Sequence, residues 1–426
     1  MDSGNMNNIP LCVRYDMDLP LAVQGSQQMV RFDAVNGNNF VMDGGSNEIR
    51  INISSAGFLV GSESYLHFII KNADANNNVR LSGGNAGNVF DSLRLESNGN
   101  ELERIDGYNL INSILKRYDS YSVEDGYSTF EGGSNLPTDP TTDGGYIAKA
   151  TSAGFVLRLK SGFLSGGKYK KAIPLIGTGG LTLILRLSTK SEALEANTAT
   201  DFAAATRATS YTGAVTIQEP RLYCPVFKIN DAGFAQRYTS ILQQSGIEWD
   251  GVTYKRYQSN LSGATGQSTL QLNDRSISLR GFVTAIRPVA SQVIGQNSFN
   301  TTLTNVTQIK YMISGLDILN GGIQYTPSDQ GRLMIENIKL LSNMSEPHIL
   351  YDQETMGTQG TAAVSLLKYG HHANVSMTGL NTSSSTLPST VEITMGAGTS
   401  TDSVVTYSVC DAIYRLDSNG SFSSMY

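Results

Sequence analysis

The chain has 426 residues, of which 16% are charged and 43 are glycine, and its formal net charge is −6. That length suits two domains better than one, and the charged fraction lies well below the roughly 25% of ordinary globular domains. The first fifty residues hold three Arg, no Lys and six acidic residues, which excludes a basic arm that would neutralise phosphates and grip nucleic acid.

The opening MDSGNMNNIP lacks the basic and apolar regions of a signal peptide. No apolar run approaches the roughly 18 residues of a membrane span. Cys12, Cys224 and Cys410 are odd in number and far apart, with no Cys-x-x-Cys spacing. Reduced thiols are therefore expected, rather than a disulfide framework or a metal site. The expectation is a protein made in soluble form, without a cofactor.

Along the chain the dominant signal is strand alternation broken by Gly, Asn and Ser clusters. Ile49, Ile51 and Ile53 alternate with Arg50, Asn52 and Ser54, and Tyr65–Ile70 reads as a strand. Leu93–Glu96 and Glu101–Glu103 flank Asn98-Gly99, the strongest short-range hairpin signal. A two-residue loop there sets Leu95 opposite Leu102, Arg94 opposite Glu103, and Glu96 opposite Glu101. In Tyr108–Tyr118 the residues Leu110, Ile111, Ile114, Leu115 and Tyr118 make one helical stripe.

Beyond a Gly/Ser/Thr/Pro/Asp-rich loop at 131–146, Phe155–Leu159, the ladder Leu181, Leu183, Leu185 and Leu187, and Arg221–Ile229 read as strands. A second helix is predicted over Asp231–Gln244, with Asp231 as N-cap and Gly246 as stop. Gly251–Tyr257, Ile277–Ile286, Lys310–Ile313, Val391–Met395 and Val404–Cys410 complete the strands. A short helix is expected over Ala363–Tyr369, and a loop over 380–390. Many short strands over long polar connections point to an all-β chain of sandwiches or barrels. The mid-chain helix reads as a joint between two halves of nearly equal size, with no exact sequence repeat between them.

Each catalytic template is weak. His67 lies in an apolar strand and reads as a satisfied core histidine, and His348 is isolated. The adjacent His371 and His372 lack further ligands, where most metal sites need three or four. Ile176–Gly180 lacks the Gly-Lys-Ser/Thr ending of a phosphate loop and runs into a strand. Asp74–Asn78 begins like a calcium loop, but Asn85 stands where the closing Glu belongs, so a hydrated turn is expected. Glu96 and Glu101 are read as solvated at a hairpin tip rather than as a cation site. Lys168, Lys170 and Lys171 around Tyr169 form the single basic run, read as solvated surface. The sequons at Asn52, Asn305 and Asn374 matter only where a glycosylation machinery is met. No catalytic, cofactor-binding or metal residue is assigned.

Five stretches in chain order resemble the double jelly-roll major capsid proteins of the adenovirus and tectivirus lineage of DNA viruses, most of all those of virophages and polinton-like viruses. They are GNVFDSLRLESNGNELERIDGYNLINSIL (Gly87–Leu115), EPRLYCPVFKIND (Glu219–Asp231), SISLRGFVTAIRP (Ser276–Pro288), Lys310–Pro327 ending in GGIQYTP, and VVTYSVCDAIYRLDSNGSF (Val404–Phe422). The resemblance implies two consecutive eight-stranded jelly rolls with a few short helices in the connections. It divides the chain into an N-terminal arm (1–47), a first roll (48–230), a joining helix (231–246) and a second roll (247–426). It further implies a structural, non-enzymatic role in a virion. Homotrimeric, pseudo-hexagonal capsomers would build an icosahedral capsid with neighbouring capsomers, penton and minor capsid proteins, without sequence-specific nucleic-acid binding.

The rival reading is a tandem β-sandwich receptor- or glycan-binding protein, either an adhesin or a phage receptor-binding protein. A joining helix rather than a short extended linker separates the two readings. An enzyme on a jelly-roll scaffold ranks third.

Overall fold

A computed structural model of the protein describes residues 25–45, 47–55, 57–116, 131, 146–167, 170–198, 211–261, 266–287, 306–324, 330–341, 361–366, 377, 379–385, 387–396 and 402–426. The alternating segments form two copies of one plan. The first uses β1 (Gly25–Asp33), β2 (Glu48–Ile53), β3 (Tyr65–Asn72), β4 (Phe90–Ser97), β5 (Asn100–Asp106), β6 (Ser152–Arg158), β7 (Leu181–Leu187) and β8 (Val215–Ile229). These strands pair antiparallel into the sheets β1-β8-β3-β6 and β2-β7-β4-β5.

The second half uses β9 (Ile247–Asn260), β10 (Gly266–Leu272), β11 (Leu279–Arg287), β12 (Val306–Ile313), β13 (Leu316–Asp317), β14 (Thr361–Ser365), β15 (Ser389–Met395) and β16 (Ser403–Leu416). Its sheets are β9-β16-β11-β14 and β10-β15-β12-β13. Every pairing of the first half thus recurs in the second, and the first strand of each half pairs with its last. That is the jelly-roll order. Short further strands, such as Asn39–Val41 beside β8 and Phe422–Met425 beside β16, extend the edges.

Helices occupy the connections: α1 (Tyr108–Lys116), α2 (Gly162–Ser165), α3 (Lys190–Ala193), α4 (Ala232–Gln244) and α5 (Gln330–Leu341). α1 follows β5 and α5 follows β13, the same place in each roll. α4 joins the rolls. Asp231 caps it by accepting from the N–H of Gly233 (2.7 Å) and Phe234 (3.3 Å), and Gly246 leaves it at φ +72°.

Alternation fixes the registers. Ile49, Ile51 and Ile53 face Leu185, Leu183 and Leu181, while Leu183 and Leu185 face Leu95 and Leu93. All of these are buried. A slip by one residue would turn each ladder to solvent. β1 differs: Gly25–Met29 are exposed, and the strand is held along its whole length by β8. β1 and Asn39–Val41 lie within the segment expected as an arm.

Two expectations are corrected. The segment read as a helix from Ala363 begins as strand β14, paired to Gly281–Ala285 of β11. Pairing at the sheet edge overrides the helix propensity of its alanines, while 367–369 lie outside the described residues. The Asn98-Gly99 hairpin forms, with both residues at positive φ, and Glu96 does face Glu101. A bulge follows, however, so Leu95 faces Glu103 and Arg94 faces Arg104. The extra residue is Leu102, and both it and Glu103 are buried.

The hydrophobic interior has two parts. The larger cluster combines the first roll's core with Trp249, Tyr254, Val283, Ala285, Val405, Tyr407, Val409 and Tyr414 of the second half. The smaller is the second roll's own core, with Phe282, Ile286, Ile309, Tyr311, Ile393 and Val404. Phe282 and Val283 are neighbours on β11 yet belong to different clusters. Its inner strands β11 and β16 are therefore buried on both faces, by their own roll and by the first.

Candidate assembly surfaces

The seam between the rolls is built from the end of β5, the turn at Gly107 and α2 on one side, and from β9, β16 and Phe422 on the other. Phe163 of α2 sits among Trp249, Tyr414 and Phe422, with ring centroids 5.1, 5.0 and 5.7 Å away in edge-to-face packing. The Trp249 indole N–H donates to the Phe163 carbonyl at 3.1 Å, and the Tyr407 hydroxyl donates to the Gly107 carbonyl at 2.8 Å. Arg287, almost wholly buried, pairs with Glu192 of α3 at 3.2 Å.

Two glycines let the backbones touch. A Cβ on Gly162 would lie 2.4 Å from the Val252 carbonyl oxygen, and one on Gly251 would lie 2.3 Å from the Gly162 oxygen. No flexible side chain could yield at either contact.

Glu103 is a second buried charge-bearing group of this seam. The β5 bulge turns it inward, where it accepts from the Ser161 hydroxyl and from the N–H of Gly162 (2.8 Å) and Phe163 (3.2 Å). Tyr414 of the second roll faces the same carboxyl. Burial pushes its pKa above the ordinary carboxylate range, against the opposing effect of these hydrogen bonds. Sequence reasoning missed Glu103, because the regular hairpin register paired it with Arg94 on the outside.

The chemical candidates do not converge. His67 is half-buried on the outer face of β3, in register with Arg221 and Val156, rather than in a core. Its Nδ1 has no partner among the described residues, and burial and then Arg221 lower its pKa. The outward alternation of β3 places it there. Asp74, itself buried, closes a turn by accepting from the N–H of Asn76, Asn77 and Gly213, and Ala75 and Asn76 of that turn are exposed.

Glu96 is paired with Arg94 at 3.0 Å. Ile176–Gly180 is a turn, with Gly177 and Gly180 at positive φ, leading into β7. Lys171 donates to the Glu248 carbonyl, while Lys168 and Tyr169 lie outside the described residues. So do Cys12, His348, His371, His372, Asn305 and Asn374. Cys224 and Cys410 are buried free thiols whose pKa values burial pushes up to about 12. Among the described residues, no helix is long and apolar enough to cross a membrane.

The exposed face is uneven. The outer side of β1-β8-β3-β6 carries Met29, Tyr65, Ile69 and Tyr223, with Tyr65 and Tyr223 stacked at 5.3 Å. Among the described residues of the second roll the most exposed large apolar one is Leu316 of β13, 74% accessible, and Ile335 of α5 is 52% accessible.

Two eight-stranded jelly rolls joined by a helix and packed against each other define the double jelly-roll class. Solved structures share that fold over nearly the whole chain. The Faustovirus major capsid protein is 11% identical, with 96% of this chain and 93% of that chain covered and a TM-score of 0.66. A PBCV-1 virus capsid structure is 11% identical, with 97% and 99% covered and a TM-score of 0.62. The Sputnik virophage structure is 12% identical, with 96% and 90% covered and a TM-score of 0.60. No family model and no curated protein sequence matches.

Proposed function

We propose that the chain is a structural major capsid protein, forming homotrimeric, pseudo-hexagonal capsomers of an icosahedral virus shell. One observation carries this reading: the fold is shared across nearly the full length of structures named as capsids or major capsid proteins. Two equivalent rolls per chain suit the role, since three copies then present six similar lobes. Its place is the virion, its partners are neighbouring capsomers with penton and minor capsid proteins, and its work is assembly rather than catalysis. A joint at 231–246 is supported by the Asp231-capped helix, with the first roll before it and the second roll after it.

Sedimentation of the purified full chain tests the reading. A species of three times 45.9 kDa, alone or within larger shells, is the expected result. A monomer at all concentrations, with specific binding on a glycan array, would favour the tandem β-sandwich adhesin or receptor-binding protein instead.

A further inference from the structure

An asparagine followed by glycine is prone to lose its side-chain amide spontaneously, because glycine leaves the attacking backbone nitrogen unhindered. The chain holds four such pairs, at Asn36, Asn98, Asn320 and Asn419. All four asparagines are exposed, yet the fold constrains them differently. The reaction needs a side chain free to rotate and a following N–H free of hydrogen bonds.

Three pairs fail one of these requirements. Asn36 is held through both atoms of its amide, donating to the Glu48 carbonyl at 2.7 Å and accepting from the Arg50 N–H at 3.0 Å. The Gly321 N–H donates to the Asp317 carboxylate at 2.6 Å. The Gly420 N–H donates to the Asp417 carbonyl at 3.0 Å, and Gly420 is itself buried.

At the β4–β5 tip neither the Asn98 side chain nor the Gly99 N–H is hydrogen-bonded among the described residues. Nothing lies within 4 Å of the place a Gly99 Cβ would take. Both residues sit at positive φ in the closed turn, so attack requires the tip to open. An exposed two-residue loop opens at little cost.

We infer that Asn98 is the site at which the folded chain modifies itself, converting to aspartate and isoaspartate. The Gly99 nitrogen loses its proton and bonds to Cγ of Asn98, the Cγ–Nδ2 bond breaks, and ammonia leaves. Water then opens the succinimide ring, at Cγ to give aspartate or at the backbone carbonyl to give isoaspartate. Either product sets a new carboxylate beside Glu96 and Glu101, which already face each other. The Asn98 side chain also fills the space beside Gly179, leaving no room there for a Cβ, and Gly420 of the second roll packs on Gly177 of the same turn. The modification thus falls where turns of both rolls meet.

Peptide mapping by mass spectrometry on the full chain, aged in warm and mildly alkaline buffer, tests this. The tryptic peptide Leu95–Arg104 is expected to gain the mass of an amide-to-acid conversion several-fold faster than the peptides holding Asn36, Asn320 and Asn419. Fragmentation is expected to place the change at residue 98, and labelling by a protein isoaspartate methyltransferase to follow it. In urea the four pairs are expected to convert at comparable rates. Asn98→Gly, which suits the positive φ, is expected to fold normally and to lose most of the label. Faster conversion at any other pair in the folded chain would overturn the assignment. So would the same order of rates with and without urea, or a label that survives Asn98→Gly.

Discussion

β16 and β3 are both inner strands of equivalent sheet type, and their sequences record different surroundings. From Ser403 to Ala412 every residue of β16 is buried. Val404 and Cys410 enter the second roll's core, whereas Val405, Tyr407 and Val409 enter the shared cluster with the first roll. β3 alternates instead: Leu66, Phe68 and Ile70 are buried while Tyr65, His67 and Ile69 are half-exposed. A strand covered on both sides loses the period-two pattern, and a strand covered on one side keeps it. The first roll thus covers one face of β11 and β16, while β3 keeps an outer face that no second roll of the same chain covers.

The largest predicted effect comes from the group that fills the seam. Phe163→Ala is expected to cost about 3–5 kcal/mol, and a urea titration should show both rolls losing stability together. A loss confined to one of two separate transitions would break the comparison by making the rolls independent. Gly251→Ala forces a Cβ against the first roll's backbone, and a cost of about 1–3 kcal/mol is expected from overpacking, measured as a lowered melting midpoint. Tyr407→Phe removes the donor to the Gly107 carbonyl and is expected to cost about 1 kcal/mol.

Glu103 sharpens the comparison through pH. Its folded pKa is raised above the unfolded value, so the native state holds a proton that the unfolded chain releases. By linkage, its stabilising contribution is complete below the ordinary carboxylate range and is lost as pH rises through the raised value. Urea midpoints across that window should fall for the wild type and lie flat for Glu103→Gln. Identical slopes in the two proteins would remove Glu103 from the seam's pH response. Leu316→Asp, on the exposed edge, should change folding stability by less than about 0.5 kcal/mol.

Much of the first roll was legible because its ladders are local in pattern: Ile49 to Ile53 and Leu181 to Leu187 show their buried face in the residues themselves. The joining helix was legible from Asp231, its half-buried Phe234, Tyr238 and Leu242, and Gly246. β1 was not, because Gly25-Ser26-Gln27-Gln28 has no apolar alternation and becomes a strand only through β8, nearly two hundred residues away.

Glu103 was hidden by one bulge residue, which no composition or period reveals. β14 was hidden because Ala362 and Ala363 suit a helix as well as an edge strand. The uncovered apolar face was hidden for a different reason: Tyr65, Ile69 and Tyr223 read as ordinary strand residues until the fold shows which face stays uncovered.

Negative-stain electron microscopy of the purified full chain tests the central claim most directly. Six-lobed particles whose mass by light scattering is three times 45.9 kDa are the predicted result. Two-lobed particles of a single chain, unchanged as concentration rises, would contradict it.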